Sequence, residues 1–106
     1  MDKAIKKHFR TAITVYPCTG SEDGDKQFGE PVVYKGCYFP KNVLVTNRDG
    51  EEIQSKSVVY LDGKYADVIT DADEISAQYL ARHPIQCIVP YFKLHSDKVD
   101  ILEIYL

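Results

Sequence analysis

The side chains able to do chemistry are three cysteines, three histidines and sixteen acids, and their spacing sets what they could do. His8, His83 and His95 stand far apart. None lies at i, i+4 from another or in zinc spacing from Cys18, Cys37 or Cys87, so no zinc site is expected. The acidic run Glu22-Asp23-Gly24-Asp25 lacks the alternating oxygen ligands and the distal Glu of an EF-hand loop. Asp67, Asp71, Asp73 and Glu74 read as a helix cap and a solvated face. A cysteine nucleophile needs an accessible, electropositive place with a base in reach. Cys37 and Cys87 sit inside apolar runs and read as small buried side chains, and only Cys18, after Pro17, is expected to be exposed. There is no Gly-x-Ser-x-Gly elbow, and Gly20, Gly24 and Gly29 alternate with acids that would repel a phosphate. The expectation is a protein that is not an enzyme and holds no cofactor or metal.

Composition limits the remaining classes. The 106 residues are 44% hydrophobic and 27% charged, the make-up of one ordinary folded domain. Thirteen Lys and Arg against sixteen Asp and Glu give a net charge of -3, without the basic excess that tight phosphate-backbone binding requires. No apolar run approaches the roughly 20 residues of a membrane helix, and the start of the chain lacks a signal-peptide pattern. A cytosolic protein without membrane partners is expected. The odd cysteine count is incompatible with a closed disulfide framework.

Hydrophobic periodicity then places the elements. Residues 1–8 read as a flexible basic arm and 9–106 as a single domain. Phe9, Thr11, Ile13 and Val15 alternate with more polar neighbours, as in a half-buried strand. Residues 17–31 are dense in turn formers and read as a long exposed loop. Val32 to Phe39 reads as a strand bulged or bent at Gly36 and closed by Pro40. Asn47-Arg48-Asp49-Gly50, between Val43–Thr46 and Ile53–Leu61, carries the Asp-Gly signature of a hairpin. The second of these strands is apolar on both faces near its end, as a strand crossing the middle of the fold would be. Asp71 as cap with Glu74 three residues on, followed by Ile75, Tyr79 and Leu80, predicts a helix over Asp71 to Arg82, stopped by Pro84. Ile85–Tyr91 and Lys98–Leu106 complete the strands, the last apolar on both faces and so in need of cover. About six strands and one short helix make a mainly β protein, a small antiparallel β-barrel or sandwich.

Such a chain can still present surfaces to other molecules. Eight tyrosines, the apolar segments Tyr34–Phe39 and Ile101–Leu106, a long polar loop and a basic arm are the composition of a surface covered by neighbouring subunits. The residues expected at that interface are Lys6, Lys7, Arg10, Asp23, Asp25, Phe28, Tyr38, Phe39, Ile104, Tyr105 and Leu106. An alternative is a small β-barrel binding single-stranded nucleic acid, with Lys3, Lys6, Lys7 and Arg10 on phosphates and tyrosines on bases. Tyr34, Tyr38 and Tyr60 have no basic residues interleaved, which favours packing over base stacking.

The succession of Ile13–Tyr16, Thr19-Gly20, Tyr34-Lys35-Gly36-Cys37-Tyr38-Phe39 and Asp49-Gly50-Glu51-Glu52-Ile53 through Ser55 to Leu61 resembles the head-tail connector proteins of long-tailed phages and prophages. That family includes minor capsid, head-completion and head-to-tail stopper proteins. The resemblance covers about the first sixty residues well. It implies a structural virion protein of the neck, assembled in the host cytoplasm as a homo-oligomeric ring, six- or twelve-fold. Such a ring would lie between portal or adaptor and tail-completion or tail-tube proteins, closing the head and supporting tail attachment. Contact with packaged DNA would be passing, and a mildly acidic lumen suits sliding because like charge disfavours sticking.

Overall fold

The computed structural model describes residues 9–22, 24–78 and 80–106. Lys6, Lys7 and Asp23 lie outside them, as does the expected arm at 1–8. The protein is mainly β, 65% in strands and 3% helical. The strands are β1 (Thr11–Tyr16), β2 (Cys18–Glu22), β3 (Asp25–Phe28), β4 (Val32–Thr46), β5 (Glu52–Asp62), β6 (Glu74–Ala77), β7 (Leu80–Pro84), β8 (Cys87–Phe92) and β9 (Val99–Tyr105). A 3-10 turn, Gly63–Tyr65, follows β5. Seven strands form one antiparallel sheet in the order β7-β6-β1-β4-β5-β9-β8, and β2 and β3 pair separately.

The two edge strands of the large sheet, β7 and β8, are joined by only Ile85 and Gln86. Ile85 N–H donates to Asp73 O at 3.1 Å on the β6 side, and Gln86 N–H donates to Tyr105 O at 2.8 Å on the β9 side. That link requires the sheet to roll until its ends approach, yet no ladder joins β7 to β8. The result is sandwich-like rather than a closed barrel. Ile13, Val15 and Ile75 from one half meet Val59, Leu61, Leu102, Ile104 and Leu106 from the other, with Ile69 and Ile85 filling the ends. Apolar burial on this inner face supplies the driving force.

The hairpin at Asn47–Gly50 forms as the Asp-Gly step predicts. Gly50 takes φ 80°, and the Asn47 side chain accepts the Asp49 and Glu51 amides, each at 3.0 Å. The last strand is covered by the fold itself: β9 lies between β5 and β8, and Ile101 to Leu106 are buried.

Three expectations are corrected. The predicted helix over Asp71–Arg82 is instead the β6–β7 hairpin, with Ile75 opposite His83 and Ala77 opposite Leu80. A lone helix of about three turns is marginal, whereas β6 satisfies the second edge of β1, pairing Val15 with Ile75. Asp71 is no helix cap. Nor is residues 17–31 a structureless loop, since β2 and β3 form a hairpin turned at Gly24, φ 84°. Finally, β4 does not end at Pro40 but runs on to Thr46, and its irregularity falls between Pro40 and Val43 rather than at Gly36. Beyond Gly36 the only ladder partner of β4 among the described residues is β5, and an edge strand tolerates proline.

The β2–β3 hairpin docks on the large sheet through the Cys18 N–H, which donates to Asp73 Oδ1 at 2.8 Å, through Lys26 Nζ, which donates to Ala72 O at 3.3 Å, and through a stacked arginine. The Arg82 guanidinium lies 3.9 Å from the Tyr16 ring centroid and 4.7 Å from that of Phe28, and its Nε is 2.5 Å from Glu74 Oε1. Stacking of this kind contributes about 0.5 to 2 kcal/mol. Arg82→Ala is expected to leave the large sheet intact while amide exchange across Asp25–Phe28 accelerates. Unchanged exchange there would show that the stack does not hold the hairpin.

Candidate functional site

Strand alternation places a second set of side chains on the face opposite the core. Since Val59 and Leu61 point inward, Val58 and Tyr60 point outward, and on β9 the outward set is Ile101, Glu103 and Tyr105. Register puts Tyr60 beside Cys37 and Glu103, with Val89 beyond Glu103 and Cys87 beyond Tyr105.

Glu103 is the centre of this face and only 4% exposed. Its Oε2 accepts from Tyr60 Oη at 2.7 Å. Its Oε1 accepts from Tyr91 Oη at 3.2 Å and from Tyr105 Oη. Burial by itself would raise this carboxyl, but the hydrogen bonds from Tyr105, Tyr60 and Tyr91, with Lys41 nearby, outweigh it and hold Glu103 below its ordinary value. Conversely, burial first and then the bond to Glu103 push the Tyr60 and Tyr105 phenols well above theirs. Near neutral pH the cluster is therefore one carboxylate accepting from three neutral hydroxyls.

This arrangement can hold four strands in register, because β5, β8 and β9 each contribute a donor or the acceptor and Phe39 of β4 packs edge-on to Tyr60 at 5.8 Å between centroids. Three of the carboxylate's roughly four acceptor sites are taken by phenols, and those phenols are held neutral near neutral pH. The thiols beside it are not activated either. Burial raises Cys37, and burial followed by the charges of Asp71 and Glu103 raises Cys87. Cys18 and Cys87 are both half-buried, so Cys18 is not singled out by exposure. Among the described residues, no group of three or more His, Cys, Asp or Glu side chains is placed to hold a metal.

Other residues expected at an interface are distributed differently. Arg10 and Asp25 are exposed, and Phe28 lies half-buried under Arg82. Tyr38 is turned inward, its hydroxyl donating to Gln78 O at 2.6 Å. Ile104 and Leu106 belong to the core and Tyr105 to the Glu103 cluster, so this terminal apolar segment is enclosed by its own sheet. Phe39 remains 49% exposed.

The exposed apolar groups lie elsewhere. Between Pro40 and Ser57 the β4–β5 hairpin continues as a ribbon past the β1 ladder. It carries Leu44 at 70% exposure, and Arg48 near its tip lies 3.7 Å from Asp71. Leu94, in the β8–β9 turn, is 86% exposed.

Sequence reasoning missed Glu103, although a signal exists. An acid within Ile101-Leu102-Glu103-Ile104-Tyr105-Leu106, a strand apolar on both faces, is a buried acid in need of donors. The donors from β5 and β8 become visible only with the register. Comparison of the chain with protein-family models, with curated proteins and with solved structures gives no match.

Proposed function

We propose that the protein is a structural subunit of a phage or prophage head-tail connector. In this reading a homo-oligomeric ring, six- or twelve-fold, sits in the virion neck between portal or adaptor and tail-completion or tail-tube proteins. The observation that carries the reading is the Asp49-to-Leu61 motif, which supplies the turn and second strand of the β4–β5 ribbon. A ribbon with Leu44 exposed, and Phe39 exposed at its base, is suited to contact with a neighbouring subunit. The mild negative charge suits a lumen through which DNA slides.

The test combines purified protein with its portal or adaptor, and particles made without it. Ring assembly on the portal, together with DNA loss or tailless heads in its absence, is the expected result. Heads that keep their DNA and join tails without the protein, with no assembly in vitro, would refute the connector role. If the protein instead binds oligonucleotides in a salt-sensitive way that vanishes on removing Met1 to Arg10, the nucleic-acid alternative replaces it.

A further inference from the structure

Two Asp-Gly steps lie wholly among the described residues, Asp49-Gly50 and Asp62-Gly63, and the fold holds them differently. A glycine has no side chain to shield its amide nitrogen, so in such a step that nitrogen can reach the preceding side-chain carboxyl. At Asp49-Gly50 little opposes this. Both residues are exposed at the tip of the β4–β5 ribbon, and no heavy atom beyond the chain neighbours lies within 4 Å of where a Gly50 Cβ would stand. The Gly50 N–H donates to Asn47 O at 3.1 Å, a turn bond in contact with solvent, and such bonds open locally at low cost. At Asp62-Gly63 the same atoms are pinned. Gly63 is buried, and the Val99 carbonyl and Asp100 C of β9 press against it. Asp62 Oδ1 accepts from Lys64 N–H at 3.0 Å. Swinging this peptide towards its carboxyl would require β9 to move.

We propose that Asp49 is a site of spontaneous covalent modification, isomerisation to isoaspartate, from which the fold protects Asp62. The Gly50 amide nitrogen attacks the Asp49 side-chain carboxyl carbon. A C–N bond replaces the C–OH bond, and the hydroxyl leaves with the amide proton as water. Water then opens the resulting five-membered imide. Addition at the former main-chain carbonyl leaves the chain running through Cβ and Cγ of Asp49, with its α-carboxylate free, and the mass is restored. The longer linkage does not fit the turn. Asn47 Oδ1 now holds the Asp49 and Glu51 amides, each at 3.0 Å, and an extra carbon between them breaks that arrangement. The tip that brings Arg48 to Asp71 loosens in consequence. This site does not rest on the connector reading.

The test ages the full chain in neutral buffer, folded in one sample and unfolded in urea in another. Peptides spanning residues 49 and 62 are then separated, and electron-transfer fragmentation distinguishes isoaspartate from aspartate in each. In the folded chain isoaspartate should accumulate at residue 49 at least about tenfold faster than at residue 62. In urea the two steps should react at similar rates, because only the fold separates them. Gly50→Asn keeps a residue that tolerates the left-handed turn but crowds the attacking nitrogen, and should slow the reaction at residue 49 about tenfold. Amide exchange at Asn47–Glu51 should rise in the aged chain while β9 stays protected. An Asp49 that stays intact in the folded chain while the urea sample isomerises, or equal accumulation at residues 49 and 62 in the folded chain, would each overturn the proposal.

Discussion

Glu103→Ala is expected to destabilise the fold by about 3 kcal/mol, a fall in Tm of roughly 12 to 24 °C for a domain of this size. The variant strips the acceptor from three hydroxyls at once and leaves a cavity in a face where Val58 and Ile101 are fully enclosed. Tyr60→Phe and Tyr105→Phe should each cost about 1.5 to 3 kcal/mol, the range for a hydrogen bond to a charged group. Tyr91→Phe should cost less, because that bond is 3.2 Å long and Tyr91 is 38% exposed. Thermal and urea unfolding of the four variants measures this. If Glu103→Ala melted within about 1 kcal/mol of the parent, the cluster would not be organising the β5-β9-β8 side of the sheet.

The same cluster sets a pH profile with two limbs. Glu103 titrates below its ordinary 4.5 in the folded state, so its contribution is complete above pH 4.5 and is lost as pH falls through the folded value. Tyr60 and Tyr105 titrate above their ordinary 10.0. Their contribution is complete below pH 10 and is lost as pH rises towards the folded values. Stability should therefore form a plateau between these limbs. Glu103→Gln should flatten the acid limb, which urea midpoints taken across pH would show. An acid limb unchanged in that variant would assign it to other carboxylates.

Gly63→Ala is the second large effect expected, about 3 kcal/mol of destabilisation. Gly63 is buried at the start of the 3-10 turn. A Cβ there would meet the Val99 carbonyl and come within 2.7 Å of Asp100 C. Both belong to the backbone of β9, so relief requires moving a strand rather than turning a side chain. Gly24→Ala makes a useful contrast. Nothing lies within 4 Å of its Cβ, but φ is 84°, so the cost is conformational and about 1 kcal/mol. Equal effects at the two positions would contradict the close approach of the turn to β9.

Local chemistry accounts for the elements that were legible in the chain. The Asp49-Gly50 hairpin needs only residues that accept the turn's dihedral angles, and Ile13 and Val15 announce an inward face by alternation. Local chemistry also misled. Asp71 and Glu74 have capping spacing, and Ile75 and Leu80 fit a helix, yet the open edge of β1 recruits Ile75 into a ladder. Pro40 resembles a terminator, but it lies where β4 has a single partner and an interruption costs little. An edge strand and an interior strand can read alike in one dimension.

The candidate site divides in the same way. Phe39 and Tyr105 stand in segments whose apolar excess marked them for burial or contact, whereas Glu103 was missed although it is an acid among apolar neighbours. What covers it was undetermined, because Tyr60, Tyr91 and Tyr105 reach one carboxylate only when β5, β9 and β8 are adjacent in a particular register. By itself the sequence determined a small, mainly β, antiparallel protein with a hairpin at Asn47–Gly50, since alternation and turn chemistry act over a few residues. The tertiary structure decided that β9 lies inside the sheet and that Asp71–Arg82 is a hairpin. Each depends on which strands become neighbours, and neighbours are chosen by burial and ladder pairing across the whole chain.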